Sequence, residues 1–425
     1  MEQTPKANRV HIGFFGRCNA GKSTLINMLT DQPVSLVSEV AGTTTDPVSK
    51  SMEILPLGPV VITDTAGIDD TSELGALRIE KSEEIIKKIN LAVYVLRNDE
   101  APTADDMIWL NTLKQNNVPI ALFINEINAF DSESAHDNDS NGNDTNLNYV
   151  DTYPDLSAIA TVVGSTDFTS NRDRLTLLDL LGGLTPLDVE GEQSLLQGLV
   201  NPGDTIILVC PIDSAAPKGR LILPQVQTIR EILDHKGLAL VCQTEELATM
   251  LNKLSQKPKL VITDSQAFEA VNALTPADIP LTSFSILMAR FKGKLQDLVT
   301  GVKALNNLKP GARVLISEGC THRRQCDDIG TVKIPMWLKK KGHTDLQLEF
   351  TSGGAFPKDV SGYDLIIHCG ACMLTRREVL RRIDCAVVQG TPIVNYGVLI
   401  ASLHGILERA ISPFMDELDR KGFEC

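Results

Sequence analysis

Gly16-Arg17-Cys18-Asn19-Ala20-Gly21-Lys22-Ser23 is the stretch that decides the fold of the first part of this chain. It matches the phosphate-binding loop pattern, in which backbone N–H groups wrap phosphates, the lysine reaches the β- and γ-phosphates and the serine binds magnesium. The apolar run Val10–Phe15 comes before it, and a helical pattern begins at Thr24. A strand, this loop and a helix in succession predict a P-loop nucleotide site. Its predicted contacts are Gly16, Asn19, Ala20, Gly21, Lys22, Ser23 and Thr24.

Two later motifs supply groups for a magnesium ion and a γ-phosphate. Gly42-Thr43-Thr44-Thr45-Asp46 offers Thr44 as a magnesium ligand. Asp64-Thr65-Ala66-Gly67 ends an apolar run, so we expect Asp64 at a strand end near magnesium and the Gly67 N–H beside the γ-phosphate. Ile68 stands where Ras-like enzymes carry a water-orienting glutamine. Since an apolar group cannot orient water, hydrolysis should be slow unless a cation or a partner helps.

The order of these motifs resembles the translation-factor-type GTPases, in particular the branch of tRNA-modification and ribosome-assembly GTPases. The resemblance implies GTP and Mg²⁺ as ligands. In potassium-activated members of that branch, an asparagine at the place of Asn19 helps to coordinate K⁺ beside the phosphates. The groups expected to take part in hydrolysis are therefore Lys22, Asn19, Thr44 and Gly67, with K⁺ as a further cofactor.

The guanine-reading motif departs from the pattern of those relatives. After the strand-like run Ile120–Ile124, the expected Asn-Lys-x-Asp is replaced by Asn125-Glu126-Ile127-Asn128. A register slipped by three residues, which ends at Asp131, is the alternative. Asn128 offers the base one acceptor and one donor where aspartate offers two acceptors, so we expect weakened guanine specificity.

The remainder of this first domain carries weaker signals. Residues 131–151 are crowded with Asp, Asn and Ser, cannot bury a core and predict a disordered surface insertion. Val162-Val163-Gly164-Ser165 predicts the last strand and a guanine-side loop, with Ser165 as a weak candidate for base contact. The P-loop domain is expected to span residues 8–184.

Length and composition limit the possible functions. A chain of 425 residues is too long for one core and suggests two or three domains. The balance of 40 basic against 54 acidic residues argues against nucleic-acid binding, and the chain has no apolar run of the ~20 residues that a membrane span needs. Nine cysteines without a secretory signal predict thiols or metal and cluster ligands in a cytoplasmic protein.

The middle of the chain predicts a second parallel α/β layer over residues 185–278. Strand-like runs at Thr205–Cys210, Leu238–Gln243 and Lys259–Thr263 alternate with helical stretches. The chain carries no dinucleotide-binding fingerprint here, so an interaction or dimerisation module is the expected role.

The last part, residues 279–425, contains two cysteine motifs, Cys320-Thr321-His322 and His368-Cys369-Gly370-Ala371-Cys372. Each follows a short apolar run, and two such strands side by side would bring the three cysteines together at the carboxyl edge of a parallel sheet. Zinc and a four-iron cluster fit the spacing about equally well. His322 and His368 could add a ligand nitrogen, although a supporting hydrogen bond is the commoner role. Four arginines between positions 376 and 382 predict a basic patch nearby.

A P-loop domain joined to a Cys-x-His…His-Cys-x-x-Cys terminus resembles the [FeFe]-hydrogenase maturation GTPases. The resemblance extends over nearly the whole chain, and the matching stretches include Asp46-Pro47-Val48, residues 223–230, residues 327–330 and Asn395-Tyr396-Gly397. It implies an α/β fold in which the P-loop GTPase domain is followed by two smaller parallel-sheet domains.

That resemblance also implies a function. A [4Fe–4S] cluster would be held by Cys320, Cys369 and Cys372 in a dimeric scaffold. The scaffold would receive a diiron subcluster precursor from radical-SAM maturases and deliver it to the apo-hydrogenase, with GTP hydrolysis timing the exchange of partners. The alternative is a regulatory GTPase whose cysteines bind structural zinc.

Overall fold

The computed structural model describes residues 9–30, 48–54, 57–65, 84–126, 152–166, 171–184, 194–212, 221–319, 328–353 and 355–419. Several predicted features lie outside these ranges: Thr44, Gly67, Ile68, Asn128, Cys320, His322 and the insertion at 131–151. The chain divides into two compact units, residues 1–190 and 191–425. A further boundary near residue 278 stays a prediction.

The first unit is built on a six-stranded sheet with the order β2-β3-β1-β4-β5-β6. Its strands are β1 Val10–Phe15, β2 Val48–Ile54, β3 Gly58–Asp64, β4 Leu91–Arg97, β5 Ile120–Asn125 and β6 Val162–Thr166. All pairs are parallel except β2 with β3. The helices whose bounds lie in the described ranges are α1 Lys22–Thr30, α2 Ala104–Gln115, α3 Pro154–Ile159 and α4 Asn171–Leu184.

Alternating residues of the central strands supply a separate core on each face of this sheet. Phe14 and Val93 belong to a cluster with α1 and α4, whereas Phe15 and Tyr94 belong to one with α2 and α3. A strand buried on both faces is mostly apolar, which is why β1, β4 and β5 are apolar except for the half-buried His11 and the terminal Arg97 and Asn125. The predicted P-loop α/β fold is confirmed.

The second unit contains two four-stranded parallel sheets. One consists of β7 Thr205–Val209, β8 Leu238–Cys242, β9 Leu260–Thr263 and β10 Leu281–Ser283; the other consists of β11 Arg313–Glu318, β12 Gln347–Ser352, β13 Leu365–His368 and β14 Ile393–Asn395. Their strand orders are β10-β9-β7-β8 and β12-β11-β13-β14. Counted within each sheet, both orders are 2-1-3-4. The two halves thus share a topology although no repeat is visible in the sequence.

Ten helices accompany these sheets in the described ranges: α5 Leu223–Asp234, α6 Leu247–Lys253, α7 Phe268–Leu274, α8 Phe284–Lys292, α9 Leu295–Gly301, α10 Ile334–Lys340, α11 Arg376–Val388, α12 Tyr396–Leu403, α13 Leu407–Ile411 and α14 Met415–Asp419. One continuous apolar cluster joins both sheets. No helix in the described part of the chain has the length and apolarity to cross a membrane.

Candidate functional site

The phosphate-binding loop lies between the end of β1 and the start of α1. Gly16, Asn19 and Gly21 have positive φ angles of 134°, 60° and 102°. A Cβ atom at Gly16 would lie 2.4 Å from the Val95 carbonyl oxygen, so only glycine fits there. Asparagine, which stands at position 19, is one of the few non-glycine residue types that adopt the left-handed region readily. These positive φ angles account for the glycines and the asparagine in the motif.

Lys22 spans the loop that precedes it. Its Nζ donates to the Gly16 carbonyl at 2.8 Å and to the Arg17 carbonyl at 2.7 Å, and the side chain is buried. The positive charge is therefore held against the loop in which phosphates are expected.

Asp64 ends β3 at the same edge of the sheet, opposite Phe14 of β1. Its buried Oδ1 has no hydrogen-bond partner among the described residues. Burial raises the pKa of Asp64, and the charge of Lys22 opposes that rise. A buried carboxylate oxygen without a donor fits a hard cation such as Mg²⁺.

Asn125 connects the end of β5 to the phosphate-binding loop. Its Nδ2 donates to the Ala20 carbonyl at 3.1 Å. Ser165 lies one strand further along this edge, where its backbone pairs with Ile124. The contact of Asn125 favours the unslipped register of the base-reading motif, with Asn128 in the last motif position.

A polar network that anchors the loop escaped the sequence analysis. Arg17 Nε lies 3.3 Å from Asp106 Oδ2, and Nη1 lies 2.7 Å from Glu100 Oε2. Asp106 is fully buried and also accepts the Tyr94 hydroxyl at 2.9 Å. The pair Thr103 and Asp106 forms a capping box at the start of α2. The capping box can be recognised in the sequence, but the contact between Asp106 and Arg17 of the loop cannot.

The second candidate site lies at the carboxyl ends of β11 and β13. These strands pair in parallel with Ser317 opposite His368, and the Cys369 N–H donates to the Ser317 carbonyl at 3.0 Å. The Gly319 N–H donates to Cys369 Sγ at 3.0 Å. This junction is the topological switch point of a 2-1-3-4 sheet, where ligands of open α/β sheets bind. The predicted side-by-side placement of the two strands is confirmed.

A tight turn joins Cys369 to Cys372. Ala371 has a φ of 54°, and its N–H donates to Cys369 Sγ at 3.3 Å. A left-handed alanine costs roughly 1–2 kcal/mol, so the rest of the structure must impose this conformation. Burial raises the pKa of the Cys369 thiol to about 11, against the effect of the two N–H donors. A thiol buried at this depth needs a nearby cation to ionise.

Lys292 supplies a cation beneath this turn. It is the last residue of α8 and is 2% exposed. Its Nζ donates to the carbonyls of Ala371, Cys372 and Leu374 at 3.4, 3.0 and 2.8 Å. Burial lowers the pKa of Lys292 to about 8, and Cys372 and Cys369 act in the opposite direction. A lysine at a helix end is normally read as a solvated charge, so the sequence analysis missed it.

Both ring nitrogens of His368 contact other groups, which favours the supporting hydrogen bond over a metal-ligand role, and its place among the candidate ligands stays a prediction. The Arg382 guanidinium donates to Nε2 at 3.2 Å, and Nδ1 lies 2.9 Å from the Cys369 carbonyl oxygen. A neutral imidazole with Nδ1–H donating satisfies both contacts and leaves no lone pair for a ligand bond. Burial, together with the Arg382 charge, lowers the pKa of His368 to about 4, consistent with a neutral ring.

Arg382, the last of the four arginines in the predicted basic patch, does not lie on the surface. Arg382 is fully buried and contacts Glu378 of α11, Ser317 of β11 and the Gly353 carbonyl. It therefore belongs to the support of the cysteine site and not to a solvated face. Cys210 is a buried free thiol, and Cys242 and Cys385 are half-buried free thiols.

Three family models match the chain in succession. Residues 11–126 match a model described as 50S ribosome-binding GTPase. Residues 195–293 match the hydrogen maturase F dimerization domain, and residues 296–413 match the hydrogen maturase F tetramerization domain. The two latter models together cover more than half of the chain.

The individual relatives match about a quarter of this chain. The chain is 33% identical over 108 residues to the tRNA modification GTPase MnmE of Staphylococcus epidermidis, which is 25% of this chain and 23% of MnmE. It is 37% identical over 99 residues to MnmE of Heliobacterium modesticaldum, or 23% and 21% of the two chains. The chain thus spans about a quarter of these relatives.

Among solved structures, Era of Aquifex aeolicus bound to GDP·AlF₄⁻ overlaps with a TM-score of 0.34 at 20% identity. The overlap covers 54% of this chain and 91% of Era, and a likeness this slight carries no argument. The consecutive domain matches show the family, and the P-loop and the Cys369–Cys372 motif follow the ends of β1 and β13 as predicted. The chain belongs to the hydrogen maturase F (HydF) family of hydrogenase-maturation GTPases.

Proposed function

We propose that this protein is a GTP-hydrolysing scaffold that holds a [4Fe–4S] cluster and delivers the diiron subcluster of the H-cluster to an apo [FeFe]-hydrogenase. The observation that supports this most is the junction of β11 and β13. There Gly319 lies 3.0 Å from the sulfur of Cys369, and Cys320 is the next residue of the chain. Consecutive Cα atoms are only about 3.8 Å apart, so the peptide bond between Gly319 and Cys320 supports Cys320 as a third ligand of the same centre.

The donor set fits a cluster held by three cysteines. Cys369 and Cys372 lie on one turn, N–H groups point at sulfur, and a buried lysine supplies positive charge for anionic ligands. Soft thiolates favour iron–sulfur clusters over hard cations. Within the described residues no group of three His, Cys, Asp or Glu could hold a metal, so the third donor would be Cys320. When bound, such a cluster would supply one iron with an exchangeable position.

The remaining candidate residues would bind GTP and Mg²⁺. The backbone N–H groups of the loop and Lys22 would hold the phosphates of GTP, while Ser23, Asp64 and Thr44 would hold Mg²⁺. Asn125 would tie the base-reading loop to the phosphate loop through Ala20. Hydrolysis would time the exchange of the radical-SAM maturases and the apo-hydrogenase. A cytoplasmic location fits cysteines that must stay reduced.

Anaerobic purification with iron, sulfide and zinc analysis tests the cluster assignment. We expect iron and sulfide in equal amounts and a broad visible absorption that bleaches on reduction. Stoichiometric zinc without sulfide would instead identify a regulatory GTPase with a structural zinc site, and the scaffold function would then be wrong.

Potassium should accelerate hydrolysis. Asn19 has the left-handed conformation that presents its side chain from the loop, and a monovalent cation there would supply the positive charge that an arginine finger supplies elsewhere. GTP turnover in KCl should exceed turnover in NaCl at equal ionic strength by at least about tenfold, or ~1.4 kcal/mol of transition-state stabilisation. Asn19→Gly, which keeps the backbone conformation accessible, should abolish the difference, whereas Cys18→Ser should keep it. Equal wild-type rates in the two salts would refute the cation site.

Oligomer formation is indicated by the two HydF domain models, and we infer that the β8 edge forms the dimer. β8 is an edge strand whose Leu238 and Val241 are 58% and 43% exposed, and Val226 and Leu233 of the neighbouring α5 are also exposed. An apolar strand edge is a template for pairing with a second copy. Leu238→Asp with Val241→Asp should lower the mass of the oligomer in size-exclusion chromatography with light scattering. Leu274→Asp, on α7 of the same unit, is the matched control, and an unchanged oligomer mass of the double variant would exclude this edge.

A further inference from the structure

We propose that Lys292 is a positioning residue for the Cys369–Cys372 turn and that it holds a fixed positive charge against the cluster bound there. The inference rests on the proposed function, because it concerns the environment of that cluster. It assigns a role to a residue that lies about eighty positions before the turn and belongs to no motif.

The ammonium group of Lys292 donates to three carbonyls of the turn at once, an arrangement that we call the clasp. Three carbonyls of one turn converge on Nζ within 3.4 Å, at Ala371, Cys372 and Leu374. An ammonium has three donors, so this turn occupies all of them. The strained left-handed Ala371 lies inside the clasped segment. A single side chain thus holds the conformation that turns the Ala371 N–H toward Cys369 Sγ.

The charge of Lys292 points to an anionic partner. A buried ammonium is costly unless it is paired, and carbonyl dipoles compensate only part of that cost. No carboxylate pairs with Lys292 among the residues that the structure describes, and its Nζ lies 3.0 Å from the carbonyl oxygen of Cys372, one of the proposed cluster ligands. Thiolates that hold a metal centre on this turn would be such an anionic partner.

A fixed cation beside a redox centre favours the state with more negative charge. Reduction of an iron–sulfur cluster adds one electron, so Lys292 should raise its reduction potential. Because the charge is buried, solvent screens this interaction less than it would at the surface. The same clasp should slow the opening of the turn and hence the loss of iron.

The test uses the full-length protein with three substitutions. Lys292→Met removes the charge at similar length, Lys292→Gln keeps two N–H donors without charge, and Lys292→Arg keeps the charge. Lys294→Met is the matched control, because Lys294 lies two residues away, is half exposed and pairs with Asp384. The readouts are an EPR-monitored redox titration, iron release to a chelator, and amide hydrogen exchange of residues 369–374 in the apoprotein.

For Lys292→Met we expect at least a tenfold smaller ratio of reduced to oxidised cluster at a fixed potential, which is 59 mV for a one-electron couple. Amide exchange in the turn and iron release should both accelerate. Lys292→Arg and Lys294→Met should match the wild type. If Lys292→Met does not fold, Lys292→Gln should still lower the potential.

The inference would be overturned if Lys292→Met or Lys292→Gln kept both the reduction potential of the wild-type cluster and the wild-type amide exchange rates of the turn. A wild-type protein without iron would instead count against the proposed function alone. In that case the exchange rates of the apoprotein would still decide whether Lys292 holds the turn.

Discussion

Cys369→Ser should leave the protein without a stable cluster, whereas Cys385→Ser should load normally. Cys369 lies where β13 ends, accepts N–H bonds from Gly319 and Ala371, and faces the residue before Cys320. A serine oxygen is a hard donor and cannot replace thiolate on iron. With one of three protein ligands lost, iron should fall from about four atoms per chain to the background level. Cys372→Ser should behave in the same way.

Iron and sulfide analysis after anaerobic reconstitution measures this, with circular dichroism to check the fold. Cys385 is a suitable control because it lies on α11, bonded to Gln389, and its loss removes one thiol without touching the turn. Normal iron loading in Cys369→Ser would refute the cluster assignment.

The placement of both sites was predictable because parallel sheets constrain where strands end. Polar residues that follow buried apolar runs must collect at the carboxyl edge, and both Asp64 and Cys369 do so. β14 pairs with β13 and ends at the same edge, where Asn395 lies opposite His368.

The support of the cysteine site was not predictable. Lys292 and Arg382 are charged residues on helices, and sequence patterns assign such residues to solvent. Their burial depends on carbonyl and imidazole partners that only the tertiary fold brings near. The contact of His368 Nε2 was unpredictable for the same reason, since its partner Arg382 is fourteen residues away on α11. The predicted residues outside the described ranges, such as Cys320 and Asn128, stay predictions.

The buried side chain of Arg382 supports the junction of β11 and β13. Arg382 donates to Glu378, Ser317, His368 and the Gly353 carbonyl, so it joins two strands, a helix and a loop. Burial raises the pKa of Glu378, but the hydrogen bonds and charges of Arg381 and Arg382 outweigh it and hold that pKa below its ordinary value. Removing Arg382 takes away the donor to His368 Nε2 and to the Gly353 carbonyl, and it leaves Arg381 as the guanidinium on Glu378.

Arg382→Met should therefore lower the free energy of unfolding of the second unit by about 3–5 kcal/mol, the usual cost of breaking a buried ion pair. The difference from the wild type should shrink as the pH falls from 4.5, the ordinary pKa of a glutamate, through the lower pKa of folded Glu378, because protonation then removes the charge that Arg382 pairs with in the wild type. Trp337 reports on this unit, and Trp109→Phe makes it the only tryptophan of the chain. Arg381→Met removes a guanidinium from the same carboxylate at a more exposed position, and it should cost less than about 1 kcal/mol. Equal urea midpoints for Arg382→Met and Arg381→Met would mean that the buried contacts of Arg382 do not stabilise the strand junction at which the cysteines meet.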